Sequence, residues 1–233
     1  LVGEKEESLY TKKLVIFNRC LNEQDFTVLS SKELNILFSL LYMARWYNYT
    51  EGTQIKNLKT LANIKRTDFD TLEIQFNNVK QFLNDSKFAI FRNLEFDKEN
   101  KTFSYRLNDS FKYLFDINNT LNKKEYLTIF NLDIFTKIKS KYDKNIYRLL
   151  IDYSGSGWVK TNKDEFIKAI GLPKSYNSAQ KNHKLKDCLK NLECYFPCIS
   201  VETIKGVVDE EDYLYIKWNN KNIRELNGLD PNT

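Results

Sequence analysis

Several patterns on which enzymes depend are missing from this 233-residue chain. Its single histidine, His183, cannot supply the metal-binding pair of histidines that a rolling-circle nickase needs beside its tyrosine. Only seven glycines occur, and none belongs to the Gly-x-x-x-x-Gly-Lys-Ser/Thr pattern of a nucleotide-binding P-loop. Residues 155–157 (Gly-Ser-Gly) are too short to cradle a nucleotide and are predicted to form a turn. We therefore expect no enzymatic activity, no catalytic residue and no cofactor.

The four cysteines form no recognisable redox or metal-binding motif. No two of them make a Cys-x-x-Cys pair. A zinc site of His183 with Cys188, Cys194 and Cys198 would have a spacing that matches no standard motif, and Cys188 falls in an apolar helical stripe. Reduced thiols in a cytoplasmic protein are the better interpretation, and no bound metal is expected.

Long apolar runs and extreme charge are also absent. No segment reaches the roughly 18 apolar residues of a membrane span, and no signal-peptide pattern is found, so we expect a cytoplasmic protein without a membrane role. The chain begins at Leu1 rather than at a methionine, which is compatible with residues further upstream. The net charge of +5 and the pI near 8.8 favour an anionic partner.

Residues 161–192 have the pattern of a short helix, a tight turn and a longer basic helix. Either Thr161 with Asp164 or Asn162 with Glu165 would cap the first helix, and a Gly-Leu-Pro sequence would end it. In the second helix a buried stripe is predicted from apolar residues at the i, i+3, i+4, i+7 spacing, which are Leu185, Cys188, Leu189 and Leu192.

This pattern is typical of a helix-turn-helix that presents its second helix to DNA. A solvated amphipathic helix on an ordinary surface is the alternative. Two predicted strands, at residues 198–204 and 213–218, follow around a polar loop, which is the winged-helix arrangement. The side chains predicted to contact DNA in this half of the chain are Ser178, Gln180, Lys181, His183, Lys184, Lys186 and Lys190.

The first half of the chain repeats this order of elements. Residues 30–33 (Ser-Ser-Lys-Glu) are predicted to cap a helix, and the dense apolar segment that follows predicts that this helix lies in the core. Hydrophobic spacing then predicts a short helix, a longer helix and a hairpin, at residues 55–64, 68–84, 88–96 and 102–107. An internal duplication of about half the chain length predicts an α+β fold with two tandem winged-helix domains.

The polar stretch at residues 116–125 is the predicted boundary, which gives domains of residues 1–120 and 121–233. The outward face of the long helix in the first domain carries Asp70 and Glu73, and these carboxylates would repel phosphates. We therefore predict that the C-terminal domain reads the DNA. The N-terminal domain is predicted to supply the dimer interface, together with phosphate contacts from Lys65, Arg66 and Lys80.

The most family-specific stretch comes before the basic helix-turn-helix. Residues 139–142 (Lys-Ser-Lys-Tyr) and 146–150 (Ile-Tyr-Arg-Leu-Leu) resemble the start of the second domain in iteron-binding plasmid replication initiators. These initiators carry Lys-Ser-Lys-Tyr and then Arg-Leu-Tyr-Glu-Leu-Leu or a near variant. Residues 184–192 are similar to the family's basic recognition helix. The resemblance extends over residues 18–219 and includes the two-domain order.

The resemblance implies an initiator that binds direct repeats at a plasmid origin. It also implies opening of an adjacent AT-rich segment, recruitment of the host's replication initiator and helicase proteins, and repression of its own promoter by a homodimer in equilibrium with monomers. Gln180 and Asn182 stand where family members are often basic, so individual base contacts are not carried over. A winged-helix repressor without initiator activity, and a winged-helix module that binds protein instead of DNA, are the alternatives.

Overall fold

Residues 13–47, 49–87, 89–115, 127–205 and 211–229 are described by a computed structural model. Their contacts divide the chain into two units. Among the described residues, the first unit comprises residues 13–24 and 29–137, and the second comprises residues 25–28 and 138–229. The predicted boundary at residues 116–125 lies outside the described residues.

The segment that follows residue 126 belongs to the first unit, and this corrects the predicted division after residue 120. Strand β5 (Leu127–Asn131) pairs antiparallel with strand β1 (Leu14–Asn18), and helix α4 (Leu132–Lys137) continues from β5. The two units divide between Lys137 and Ile138. Local sequence patterns did not indicate this division, because β5 is held by a strand that lies far away in the sequence.

The first unit contains a helix-turn-helix followed by a hairpin. Strands β2, β4 and β3 form an antiparallel sheet in that order. The sequence predicted the hairpin but not β2, because most of the residues of β2 are exposed and show no alternating apolar pattern. The elements are α1 (Ser31–Trp46), β2 (Tyr49–Gln54), α2 (Ile55–Leu61), α3 (Phe69–Asp85), β3 (Phe91–Asp97) and β4 (Thr102–Leu107).

The second unit repeats the same order of elements. Its strands β6, β8 and β7 form an antiparallel sheet in that order, and the central strand is again the last one in the chain. The predicted α+β fold with two tandem winged-helix domains is confirmed. The elements are α5 (Lys141–Ile151), β6 (Trp158–Asn162), α6 (Lys163–Ile170), α7 (Ser178–Asn191), β7 (Ser200–Ile204), β8 (Tyr213–Lys217) and α8 (Ile223–Leu226).

Four phenylalanines form the centre of the first unit's core. Phe38, on α1, is fully buried, and its ring lies 5.8 Å from the ring of Phe17, 5.2 Å from Phe130 and 4.9 Å from Phe135, measured between centroids. These rings come from α1, β1, β5 and α4, so the cluster joins the helix to the strand pair. Edge-to-face and stacked aromatic pairs stabilise a core beyond the area that they bury.

The family-like residues of α5 have structural roles. The Ser140 hydroxyl accepts hydrogen bonds from the backbone N–H groups of Tyr142 and Asp143 and so caps the helix. Tyr147 and Leu150 are buried, as core packing requires. Arg148 is buried too, with its guanidinium 4.3 Å from the centroid of the Phe26 ring, and burial lowers its pKa to about 10.

Replacing Gly171 by alanine is expected to destabilise the second unit. Gly171 ends α6 with φ +80°, and an added Cβ would lie 2.6 Å from the Thr27 Cβ. A left-handed backbone alone costs a residue with a Cβ about 1–2 kcal/mol, and the clash adds to this cost. Urea denaturation should therefore show a loss of more than about 2 kcal/mol in the free energy of unfolding.

Gly155→Ala is the matched control, since an added Cβ there would meet nothing within 4 Å. Its stability should stay within about 0.5 kcal/mol of the parent, as for most surface substitutions. Equal stabilities of the two variants would contradict the strain argument.

Candidate nucleic-acid interface

Helix α7 is held in place by a reciprocal cap at its start and a buried stripe along one side. The Asn177 side chain accepts a hydrogen bond from the Gln180 N–H, and Gln180 Oε1 accepts one from the Asn177 N–H, both at 2.9 Å. The predicted stripe is confirmed as buried, in Leu185, Cys188, Leu189 and Leu192. The capping role of Gln180 was not predicted, and it leaves the Nε2 amide group as the part of this side chain best placed to donate to a base.

Of the residues predicted on α7, Gln180, His183, Lys186 and Lys190 lie on the side of the helix away from the stripe, and Lys184 lies beside it. Ser178 and Lys181 continue the line of the stripe at the start of the helix, seven and four residues before Leu185. Ser178, Gln180, His183, Lys186 and Lys190 are exposed, while Lys181 and Lys184 are partly exposed. The helix carries four lysines against one aspartate. This aspartate, Asp187, lies with its Oδ2 atom 3.5 Å from Nε2 of the 81% exposed His183, one turn apart on the helix. The structure therefore gathers a cationic surface on this helix.

The first unit presents a different charge pattern. Lys65 and Arg66 are exposed in the turn between α2 and α3, and Lys80 is partly exposed on α3. Helix α3 itself carries three carboxylates against one lysine. The carboxylates predicted to repel phosphates are partly neutralised, because Lys98 of the hairpin turn pairs with Asp70 and lies 3.9 Å from Glu73. That pairing was not predicted from the sequence.

Two further lysines lie on the helix-turn-helix of the second unit. Lys168 on α6 and Lys174 in the turn before α7 are exposed. They were not predicted as DNA contacts, because they lie outside the second helix of the motif. Lys174 follows Pro173 directly in the predicted turn, and this position is the signal by which it could have been found.

The described end of the second hairpin carries carboxylates beside the start of α6. Asp212 Oδ2 forms an ion pair with Lys163 Nζ at 3.2 Å, and Glu211 Oε2 accepts a hydrogen bond from Asn162 Nδ2 at 2.9 Å. Residues 206–210 of the loop lie outside the described residues. Because these carboxylates would repel phosphate, the lysines of the helix-turn-helix are the better candidates for contacts to the DNA backbone.

A buried carboxylate anchors α7 to α5. Asp143 is buried, and its Oδ2 accepts a hydrogen bond from Asn191 Nδ2 at 3.1 Å. Burial, together with a hydrogen bond to Asp143, raises the pKa of the Cys188 thiol well above its usual range. Cys188 is thus a buried thiol that stays protonated at neutral pH. Among the described residues, no group of three or more His, Cys, Asp or Glu side chains is arranged to hold a metal ion.

A buried lysine on the same helix, α5, is expected to make the stability of the protein depend on pH. Lys144 is fully buried, and desolvation lowers its pKa to about 7, against an attraction to Asp143 that raises it. At pH values between about 7 and the ordinary lysine pKa of about 10.4, Lys144 is protonated in the unfolded chain but largely neutral in the folded one. The unfolded chain therefore binds one more proton than the folded chain in this range. The free energy of unfolding should therefore rise with pH across this window, by up to about 1.4 kcal/mol per pH unit, and the gain is lost as pH falls towards 7.

Lys144→Met is expected to remove this contribution. Urea denaturation at about pH 7 and about pH 9 should show a smaller rise in stability for the variant than for the parent. Lys221→Met, which alters an exposed lysine, is the control and should keep the parent's rise. The same pH dependence in both variants would contradict the assignment to Lys144.

Within the described part of the chain, no helix combines the length and the apolar character needed to cross a membrane.

Comparisons with known proteins show both a local and an overall similarity. No family model matches the chain. In sequence, 96 residues are 34% identical to a probable replication protein, Rep, of Bifidobacterium longum (strain NCC 2705), and the match covers 41% of this chain but only 31% of that protein.

In structure, the chain is similar to the Pi initiator protein, crystallised in complex with iteron DNA. The TM-score is 0.64 at 13% sequence identity, over 89% of this chain and 97% of that chain. This second similarity shows the fold. The local sequence similarity is to a replication protein, which agrees with the resemblance that residues 139–142 and 146–150 indicated.

Proposed function

We propose that this chain is a sequence-specific, double-stranded DNA-binding protein that initiates plasmid replication by binding direct repeats, or iterons, at an origin. The observation that carries the proposal is the cationic face of α7, presented by a helix-turn-helix within a fold similar to an initiator bound to iteron DNA. The local similarity to a replication protein supports the same function. This role requires no catalytic residue and no cofactor.

The N-terminal half of α7 is the part proposed to enter the major groove. Lys181, Lys184, Lys186 and Lys190 would contact phosphates and release counterions, which supplies affinity without sequence information. Ser178 lies at the helix start, where exposed N–H groups and the helix dipole favour a phosphate oxygen.

Sequence would be read by Gln180 and His183. With Gln180 Oε1 engaged in the cap, its Nε2 group can donate to an acceptor such as thymine O4 or guanine O6. A bidentate contact to adenine would require Oε1 to accept from the base, and the cap would then have to open. We therefore expect Gln180 to act as a donor to a single acceptor.

The first unit is proposed to support binding rather than to read bases. Its contributions would be phosphate contacts from Lys65, Arg66 and Lys80, and the interface of a homodimer in equilibrium with monomers. We further propose that the bound protein helps to open an adjacent duplex and recruits the host's replication initiator and helicase, and that the dimer represses its own promoter. These steps would take place in the bacterial cytoplasm on the plasmid.

A titration at two salt concentrations tests the electrostatic part of the proposal. The probe is the duplex DNA that flanks the gene for this chain. Six phosphate contacts would lower the affinity roughly a thousandfold between about 50 and 200 mM salt. An affinity that does not change with salt would favour the alternative of a protein-binding module.

A replication assay separates an initiator from a repressor. A selectable DNA circle without any other origin, carrying the gene and its flanking DNA, should be maintained in a bacterial host. The same circle with a stop codon early in the gene is the control and should be lost. Repression of the promoter without maintenance of the circle would favour a winged-helix repressor.

A further inference from the structure

One face of the second unit's sheet carries aromatic and cationic side chains that are not among the residues proposed to contact duplex DNA. Alternation along β6 and β8 places Val159, Leu214 and Ile216 in the core. The residues between them point to the other face. They are Trp158 and Lys160 on β6, and Tyr213, Tyr215 and Lys217 on β8. We call these five residues the aromatic face.

The rings and the ammonium groups of the aromatic face lie close together. Trp158 is 49% exposed, and its ring centroid lies 5.8 Å from that of Tyr215, with the planes tilted by 46°. Lys160 Nζ lies 4.7 Å from the centroid of the Tyr213 ring, and Lys217 Nζ lies 6.0 Å from that of Tyr215. Because the two rings at 5.8 Å are tilted, each of them can take a separate planar partner.

The corresponding face of the first unit lacks this combination. Tyr49 on β2 stands opposite Arg106 on β4, as Trp158 stands opposite Lys217. Further along the same face, however, β4 presents Ser104 and Thr102 where β8 has Tyr215 and Tyr213. The third strand carries a glutamate in both sheets, Glu95 opposite Ser104 and Glu202 opposite Tyr215. The duplication therefore retains one aromatic–cation pair in each sheet, and only the second sheet extends it into an aromatic face.

We propose that the aromatic face binds single-stranded DNA. Bases would stack on Trp158 and Tyr215, and Lys160 and Lys217 would contact phosphates, which is how sequence-tolerant sites for single strands are built. The site depends on the proposed function only for the source of its ligand, a strand released when duplex DNA opens.

The chemistry of the face favours a single strand over other occupants. Bases in a duplex already stack on each other and offer no free ring surface, whereas an opened strand does. A second copy of this chain would bring the same two lysines against each other. Lys217 is paired with Glu202 at 2.6 Å, but both side chains are about half exposed, so this ion pair is weak and Lys217 can turn to a phosphate.

The test measures binding of the full chain to a labelled oligothymidylate of about 12 nucleotides by fluorescence anisotropy. Trp158→Ala is expected to weaken binding by about five- to a hundredfold, and Trp158→Phe, which keeps a stacking ring, should stay within about threefold of the parent. Tyr49→Ala removes the exposed ring at the matching position of the first sheet, and it should leave the affinity unchanged.

The affinity of the same variants for duplex DNA tests the proposal for α7 separately from the proposal for the aromatic face. Trp158→Ala should bind the gene-flanking duplex as the parent does, whereas reversing the charges on α7 should impair only duplex binding. If the parent bound single-stranded DNA but not duplex DNA, the proposed function would be contradicted, while the assignment of the aromatic face would still hold.

Four results would overturn the assignment of the aromatic face. They are failure of the parent to bind the oligothymidylate, an equal loss in Tyr49→Ala, tighter binding of the matching RNA, and loss of self-association by Trp158→Ala with unchanged single-strand affinity.

Discussion

Replacement of Lys181 and Lys184 together by glutamate is expected to lower the affinity for duplex DNA by about a hundredfold or more at physiological salt. Four lysines and one aspartate give α7 a charge of +3, and the double change leaves two lysines and three carboxylates, a charge of −1. Lost phosphate contacts and new repulsion then act on the same helix. Electrophoretic mobility shift or anisotropy with the gene-flanking duplex measures the effect, and the salt dependence should weaken in parallel.

The matched control is the double reversal Lys65→Glu and Arg66→Glu. It changes charge by the same amount on two exposed residues of the first unit and should cost less affinity. A larger loss than that from α7 would reverse the proposed division of labour between the two units. Because Lys184 Nζ lies 5.7 Å from the Tyr142 ring centroid, circular dichroism should accompany the measurement to show that the α7 variant is folded.

Phe38→Ala is expected to have the largest effect on stability. The fully buried ring contacts three other phenylalanines that belong to β1, β5 and α4, so its removal leaves a cavity where the strand pair meets the helix. Truncation of a core phenylalanine to alanine costs about 3–5 kcal/mol. Hydrogen exchange followed by mass spectrometry should show lost protection in α1 and β1, while α5 and α7 keep theirs.

Ile74→Ala is the control for that measurement. Ile74 lies on α3 of the same unit but is 62% exposed, so its truncation should change stability by less than about 0.5 kcal/mol. A Phe38→Ala protein with parental protection throughout would contradict the account of the core.

Features set by local chemistry could be predicted from the sequence. Ser30 and Glu33 form the reciprocal cap that starts α1, the apolar stripe of α7 is buried, and β4 has the predicted bounds. Each of these depends on residues a few positions apart, where capping and periodicity determine the structure. The order of elements in the two halves followed from the same signals.

Features set by distant partners could not be predicted. Strand β5 pairs with β1, and Lys98 pairs with Asp70, and no local pattern records either partner. Burial of Lys144 could not be predicted either, because lysine side chains are almost always exposed to solvent. In the candidate site, Gln180 was selected for its position on the outer face, but its role in the cap depends on how the chain enters the helix.

Footprinting of the DNA that flanks the gene tests the central claim most directly. The account predicts several evenly spaced protected sites in direct repeat, on one face of the duplex, which weaken together as salt is raised. Protection of a single inverted site would contradict the initiator and indicate a repressor, and the absence of protection at low salt would contradict sequence-specific DNA binding altogether.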